Sequence, residues 1–412
     1  MTQHRHLLAT VLSGLALLAA CTPGPATADR PHDLVIKRGA ASWEQLAALP
    51  GVLTLEHGDS GPTDTWGRIV TTQPQRVRPL VADLETNDQA ALPLVRNGDG
   101  TATGFRTQRV PNDELFRLAG PIPRQQSQWG LTAIQAAAAW DISLGENIVV
   151  AVIDTGIDLS HRDLSGNIAA TGVNLLNPGG SLDDDFGHGT HVSGIIAGVS
   201  NNNVGIAGMA WGAKILPIRV ADGSGGTVFN IGRGIQQAVQ LGARVINISL
   251  GNKRPSRFLK EQVDLALASG IVIVAAAGNA ALEGNALQYP AAYPGVISVG
   301  AVGLDQTALA SGQMAYIRPD FSAFNSAVTL CAPGIDILST VPVRFGEYAY
   351  SSGTSMAAPF VTGTVALMLS RNPAMSPQQV LDKLQATATD LGARGLDPFY
   401  GAGLLNAAAA VQ

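Results

Sequence analysis

The chain has 412 residues, 46% of them hydrophobic and 14% charged, with a formal net charge of −5. That length suffices for a large domain and a smaller companion. The charge-poor, slightly acidic balance without a basic run excludes the electrostatic footprint of a nucleic-acid binder.

Residues 1–28 open with MTQHRHLLATVLSGLALLAAC, a short basic head and an apolar stretch of export-signal length, too short to span a bilayer comfortably. Its end reads two ways. Leu18-Ala19-Ala20-Cys21 resembles the lipobox of bacterial lipoproteins, and the Pro/Gly stretch behind Cys21 suits a tether. Ala26-Thr27-Ala28 instead offers a small-residue site for ordinary secretory cleavage. In both cases the product is exported, either secreted or lipid-anchored at the bacterial cell envelope. With Cys21 lipidated or removed, only Cys331 remains and no intramolecular disulfide forms. Cys331, in AVTLCAPG, reads as a small buried hydrophobe near a strand end.

Within residues 30–105, DLVIKRG, VLTLEHGD and GRIVTTQP predict strands and SWEQLAALP a short helix. RPLVADLE predicts a second helix and LPLVRNGDG a fourth strand, giving the order βαββαβ of a small α+β, ferredoxin-like unit. Residues 106–124 carry prolines, mixed charges and no sustained period, and are expected to form a linker. From residue 125 to 412, the apolar runs NIVVAVID, KILPIRVAD, RVINISLG, IVIVAAAGN and VISVGAV alternate with helical segments that end on glycine. Ser376-Pro377-Gln378-Gln379 offers a capping box with proline at the first helical position. The expected fold class is α/β, a mostly parallel central sheet with helices on both faces.

Four short motifs sit where such a fold gathers chemistry, at strand ends and helix starts. Asp154 ends VVAVID, His188 lies between glycines in DDDFGHGTHVSG, Asn279 follows the strand of IVIVAAAGN, and Ser355 opens a helix in GTSMAAP. Each alone has a plain structural reading: a turn aspartate, a loop histidine, a turn asparagine, a helix-capping serine. Together, in the order Asp, His, Asn, Ser and each at a strand end or helix start, they form a far stronger signal than any one of them alone. Pro359 is expected in an early helical turn, where its missing N–H costs least. His191, one turn beyond His188, reads as a packed helix residue.

These motifs, with the ending YGAGLLNAAAAV, resemble the subtilisin-like serine proteases over roughly residues 110 to 412. The resemblance implies that Asp154, His188 and Ser355 form a triad and that Asn279 supplies an oxyanion-hole amide. It implies an extended substrate lying between Gly223-Ser224-Gly225 and Ser249-Leu250-Gly251, with broad specificity. The primary pocket would be walled by Leu250 to Asn252 and Ala276 to Gly278, with Gln288 at its base. No acidic residue occupies that base, so no strict preference for Lys or Arg is expected. A structural calcium would take Gln125, Asp163, Asn201 or Asn202, and the carbonyls of Val199, Val204 and Ile206. The GVSNNNVGIAG loop is one residue longer than the family pattern, which leaves the choice of asparagine open. Asp183-Asp184-Asp185 reads either as a second ion site or as a solvated run. The 305–321 connection is longer than usual and has no assigned role.

By the same resemblance the N-terminal unit is a propeptide that assists folding and blocks the site until it is removed. The expected protein is then a self-processed zymogen, monomeric, whose partners are peptide substrates and its own propeptide. It meets the membrane only through a lipid on Cys21. The alternatives are a metal-dependent hydrolase using Asp154, His188 and His191, or an inactive surface-binding protein on the same fold.

Overall fold

The computed structural model describes residues 128–412 apart from 312, together with 32–38, 46–48, 52–57, 66–71, 81–86, 89–90, 106–107 and 116. The export segment, the expected strand at LPLVRNGDG and Gln125 lie outside the described residues. In the N-terminal unit, β1 (His32–Arg38), β2 (Val52–His57), β3 (Trp66–Thr71) and β4 (Val81–Thr86) form an antiparallel sheet in the order β2-β3-β1-β4. A helical turn carries the buried Leu46 between β1 and β2. The strand order is that of a ferredoxin-like sheet, but the fourth strand comes earlier than expected. RPLVADLE, expected helical, contributes β4; in sequence Asp83 and Glu85 alternate with Ala82 and Leu84, and this period of two prevailed.

Two short strands follow, β5 (Gln89–Ala90) and β6 (Arg106–Thr107). The large domain then lays down β7 (Val149–Asp154), β8 (Val173–Asn174), β9 (Lys214–Arg219), β10 (Ala221–Asp222), β11 (Gly225–Thr227) and β12 (Val245–Ile248). It continues with β13 (Val272–Ala276), β14 (Ile297–Leu304), β15 (Tyr316–Ile317), β16 (Leu330–Pro333), β17 (Ile337–Thr340) and β18 (Tyr348–Ser351). The main sheet runs β15-β14-β13-β12-β7-β9-β8, with β16 also on β14, and every pair is parallel except β14–β15.

Alternation along the central strands fills both faces of this sheet. Val150 and Val152 of β7, with Val272 and Val274 of β13, enter one core; Ala151, Ile153, Ile273 and Ala275 enter the other. The first core is closed by α1 (His188–Ala197), through Val192 and Ile196. The second is closed by α2 (Val228–Gln240) and α3 (Arg257–Ala268), through Ile231, Ile235, Leu259 and Val263. Thr227 and Ser256 cap those two helices through Asn230 and Leu259 N–H groups. The long α4 (Thr354–Arg371) lies in the first core, buried from Thr354 to Leu369. Each fully buried Val, Ile or Leu side chain contributes about 1.5–3 kcal/mol, so the two cores hold the strand ends rigidly. The capping box at α5 (Pro377–Thr387) forms as expected, with Ser376 and Gln379 bonded reciprocally.

The long 305–321 connection supplies the edge strand β15, and behind it Arg318 stacks over Phe324 at 4.7 Å and Phe399 at 5.8 Å. Cys331 is buried in the core, as expected, with burial raising its thiol pKa. Among the described residues no helix is long and apolar enough to cross a membrane.

Candidate active site

The chain leaves β7 for β9 on one side of the sheet, while β12 and β13 lie on the other, so the order reverses at β7. A crevice opens beyond the carboxyl ends at such a reversal. Asp154 is the last residue of β7, Ser249 follows β12, Asn279 follows β13, and α1 and α4 begin at His188 and at Thr354-Ser355. The turn into α1 needs Gly187, whose φ is +98°. At Gly189 a Cβ would overlap the Gly156 carbonyl, so only glycine lets α1 approach the β7 turn this closely.

Asp154 and His188 are both buried, and the Asp154 Oδ1 to His188 Nδ1 distance is 2.7 Å. Asp154 Oδ1 also accepts the Thr155 N–H at 2.8 Å. Because Nδ1 faces a carboxylate it carries the proton, which leaves Nε2 as the basic nitrogen. That Nε2 has no hydrogen-bond partner among the described residues. Burial pulls the imidazole pKa down, but the charge and hydrogen bond of Asp154, with a weaker contribution from Asp184, carry it above its ordinary value.

The Ser355 hydroxyl is donated to the Ser249 carbonyl at 3.3 Å, so engaging the imidazole requires it to leave that bond. The reverse bond is also present: the Ser249 hydroxyl donates to the Ser355 carbonyl at 3.1 Å. Pro359 explains it. Pro359 is the sixth residue of α4, an early turn as expected but past the first one, and its missing N–H is the one that would have bonded the Ser355 carbonyl. Ser249 replaces that donor and is held in turn by the Asn247 amide at 3.1 Å, whose oxygen accepts from Thr362 at 2.7 Å. Sequence reading saw Ser249 only as a backbone segment; its side-chain role follows from Pro359 once the helix start is known.

Asn279 is oriented by Thr354, whose backbone N–H and hydroxyl both donate to its Oδ1, at 2.9 and 2.8 Å. The Thr354 hydroxyl accepts the Gly278 N–H at 3.1 Å. The NH2 group of Asn279 is therefore the end turned away from Thr354. Thr354 was missed in sequence because a threonine before a serine carries no signal without the fold.

His191 does not join the site. Its Nε2 faces the Ile337 and Ala349 carbonyls at 3.1 and 3.2 Å, so it is an N–H donor there, and burial followed by the neighbouring His188 pushes its pKa down to about 3. The metal-dependent alternative thus loses its second histidine ligand. Among the described residues no three His, Cys, Asp or Glu side chains cluster as a metal site.

Gly223, Ser224 and Gly225 lie at the β10–β11 hairpin, with Ser224 held by its N–H and hydroxyl on Asp222 at 2.8 and 2.6 Å. Phe186, unremarked in sequence, stands beside Gly223, 3.2 Å from where a Cβ would be. On the other side Leu250 is buried, and the buried Gln288 lies against both Gly251 and Gly278. Gln288 therefore sits between the two expected pocket walls.

In the loop expected to hold calcium, Asp163 is buried, accepts the Ile206 N–H and the Asn202 amide, both at 2.8 Å, and receives the Val199 N–H on its carbonyl. Burial pushes its carboxyl pKa up to about 6. Asn202, not Asn201, is the asparagine brought onto Asp163; Asn201 is exposed with φ +60°. The three consecutive aspartates are not equivalent, two being largely exposed and one buried. Asp183 pairs with Arg344, Asp185 pairs with Arg219, and Asp184 is fully buried.

A mostly parallel sheet reversing beside a buried Asp–His pair, with a buried serine at the start of α4, is the arrangement of a serine hydrolase class of site. Residues 145–403 match the family described as the Subtilase family, Peptidase_S8. Subtilisin DY of Bacillus licheniformis is 42% identical over 272 residues, covering 65% of this chain and 92% of that protein. Subtilisin E of Bacillus subtilis strain 168 is 42% identical over 293 residues, 70% of this chain and 72% of the relative. The solved structure of fervidolysin from Fervidobacterium pennivorans, a keratinolytic enzyme related to subtilisin, matches with a TM-score of 0.74 at 30% identity; the match covers 94% of this chain and 62% of that one. The chain belongs to the subtilase family. Its activity is that of a serine endopeptidase.

The exchange at α4 makes a measurable prediction, best read on Ser355→Ala protein to avoid self-digestion. Ser249→Ala leaves the Ser355 carbonyl without its donor and is expected to cost roughly 1–3 kcal/mol in thermal unfolding. Pro359→Ala restores an N–H at that position, so the same Ser249→Ala change in the Pro359→Ala background should cost clearly less. Additive losses in this double-mutant cycle would refute the exchange.

Proposed function

We propose that this subtilase is an exported, self-processed endopeptidase that cleaves through an acyl-enzyme, with Ser355 as nucleophile, His188 as general base and Asp154 as the orienting carboxylate. The observation that carries the assignment is the buried 2.7 Å Asp154–His188 bond, which fixes the tautomer with its basic nitrogen unpartnered. His188 takes the Ser355 proton as the hydroxyl attacks the scissile carbonyl, and Asp154 stabilises the imidazolium that results. The Asn279 NH2 and the Ser355 N–H, in the first turn of α4, meet the oxyanion. Proton return to the amine releases one product, and water then cleaves the ester.

Substrate adds as an extended strand between Gly223–Gly225 and Ser249–Gly251, with Gln288 at the base of the primary pocket. Support comes from the chain itself. Strand β5 pairs antiparallel with β11, Ala90 opposite Gly226 and Gln89 opposite Thr227, directly beside the first of these segments. Strand β6 pairs with β18, three residues before the helix of Ser355. The N-terminal unit thus fits the part of an inhibitory propeptide docked as a peptide substrate would be. Phe116 packs on Trp140 with ring centroids 5.4 Å apart, so a cut on its N-terminal side keeps that contact.

Calcium would be held by Asp163, Asn202 and Gln125 with the carbonyls of Val199, Val204 and Ile206. This is an all-oxygen set around a carboxylate that burial otherwise drives toward its neutral form. A cation there offsets the cost of burying the charge and ties the loop to the body.

Ser355→Ala should lose peptidase activity and labelling by a serine-directed phosphonate, and should stay full length after signal removal. Wild type should accumulate as a form beginning between residues 97 and 125; a Ser355→Ala protein cut at the same bond, expressed without other proteases, would sink self-processing. Asn279→Ala should lower kcat with little change in KM, and a pure KM effect would reassign it to ground-state binding. With the His188 pKa raised, the base is protonated and activity lost as pH falls, so the acid limb of kcat/KM should lie above the ordinary imidazole value of about 6.5. Calcium at a hundredfold excess over its Kd should raise the unfolding free energy by about 2.7 kcal/mol, and Asp163→Asn should abolish that gain.

A further inference from the structure

Asp184 is a second carboxylate buried behind the Asp154–His188 pair, and nothing in the cleavage mechanism uses it directly. It is fully buried and accepts five hydrogen bonds. Its Oδ1 receives the Thr155 hydroxyl at 2.8 Å and the Phe186 and Gly187 N–H groups at 3.2 and 2.7 Å. Its Oδ2 receives both the N–H and the hydroxyl of Thr190, at 2.8 and 2.7 Å. The Thr155 hydroxyl in turn accepts the Gly189 N–H at 2.9 Å.

The partners are the chain neighbours of the proposed triad. Thr155 follows Asp154; Gly187 and Gly189 flank His188; Thr190 is two residues on. Helix α1 has no cap from the side chain of its own N-cap residue, Gly187, and its first-turn N–H groups at Gly189 and Thr190 are met by Thr155 and Asp184 instead. One carboxylate therefore clamps the end of β7 to the start of α1. It fixes the backbone on both sides of the 2.7 Å bond on which the base depends. It also sets a negative charge close to the imidazole in a buried site, where charges act strongly.

We propose that Asp184 is a positioning residue for catalysis, holding His188 against Asp154 through Thr155 and the first turn of α1 and stabilising the imidazolium by its charge. The inference rests on the triad reading above. Other charged or titratable groups facing this region are Asp154 from β7, His191 one turn along α1, and Arg344. The Arg344 guanidinium donates to the Asp184 carbonyl and pairs with Asp183. Asp185 is turned to Arg219. Of the carboxylates, Asp154 and Asp184 are the two that raise the pKa of His188.

Two variants separate charge from geometry. Asp184→Asn keeps the size and removes the charge; it is expected to lower kcat at least tenfold with KM little changed and to move the acid limb of kcat/KM to lower pH. Thr155→Val removes the bridging hydroxyl but leaves the charge, and should lower kcat at least threefold with the acid limb in place. Titrating the His188 imidazole by NMR in Ser355→Ala protein, with and without Asp184→Asn, reads the charge effect without turnover, and the pKa should fall. An unchanged imidazole pKa together with kcat within twofold of wild type would reduce Asp184 to a helix cap. If Asp184→Asn does not fold, Thr155→Val decides, and unchanged kcat there overturns the proposal. Failure of the triad reading shows separately, as activity surviving in Ser355→Ala.

Discussion

A charged carboxylate at the end of a buried strand is tolerated only where it is paired and hydrogen-bonded, and Asp154 is wholly buried at the end of β7. Much of the site follows from that constraint. The imidazole must come to the carboxylate, so α1 must start where β7 stops. That close approach excludes a side chain at Gly189, and the turn before it requires a left-handed Gly187. The sheet reverses at this strand, so the same place is where a crevice opens to the solvent side. Burial of the pair and access of substrate are thus two results of one topological fact.

The backbone around the nucleophile is governed in the same way, by groups that cannot be left without partners. Pro359 removes one helical donor, and the Ser355 carbonyl finds it again on Ser249. Thr354 satisfies the Gly278 N–H and turns the Asn279 amide at once. Asp184 does for α1 what Ser249 does for α4, supplying from outside what the helix start lacks. Each proposed reacting group therefore sits beside a neighbour whose role is to complete a backbone bond.

The sequence carried the large domain well because its signals were local. VVAVID and IVIVAAAGN are apolar on both faces, as strands buried between helices must be, and the motif residues fall at their ends. The capping box at Ser376 was legible for the same reason. What escaped depended on contacts between distant residues. Asp184 looked like one of three equivalent charges, and only the fold separates it from Asp183 and Asp185, whose arginine partners come from elsewhere in the chain. The choice of Asn202 over Asn201 turned on which side chain reaches Asp163, a matter of loop path rather than composition. In the N-terminal unit, RPLVADLE has apolar spacing compatible with either period, and pairing of β4 with β1 decided it.

At one margin of the main sheet β8 is only two residues long, and at the other β14 is flanked by the four-residue β16 and the two-residue β15. An open β-edge presents unpaired N–H and C=O groups on which another copy can grow, and brevity is one of the ways natural sheets blunt that template. The long 305–321 connection adds such a stub beside the end of β14, running antiparallel to it. For a protease whose own surface is a substrate, an edge that offers little to pair with discourages association with other chains of its kind.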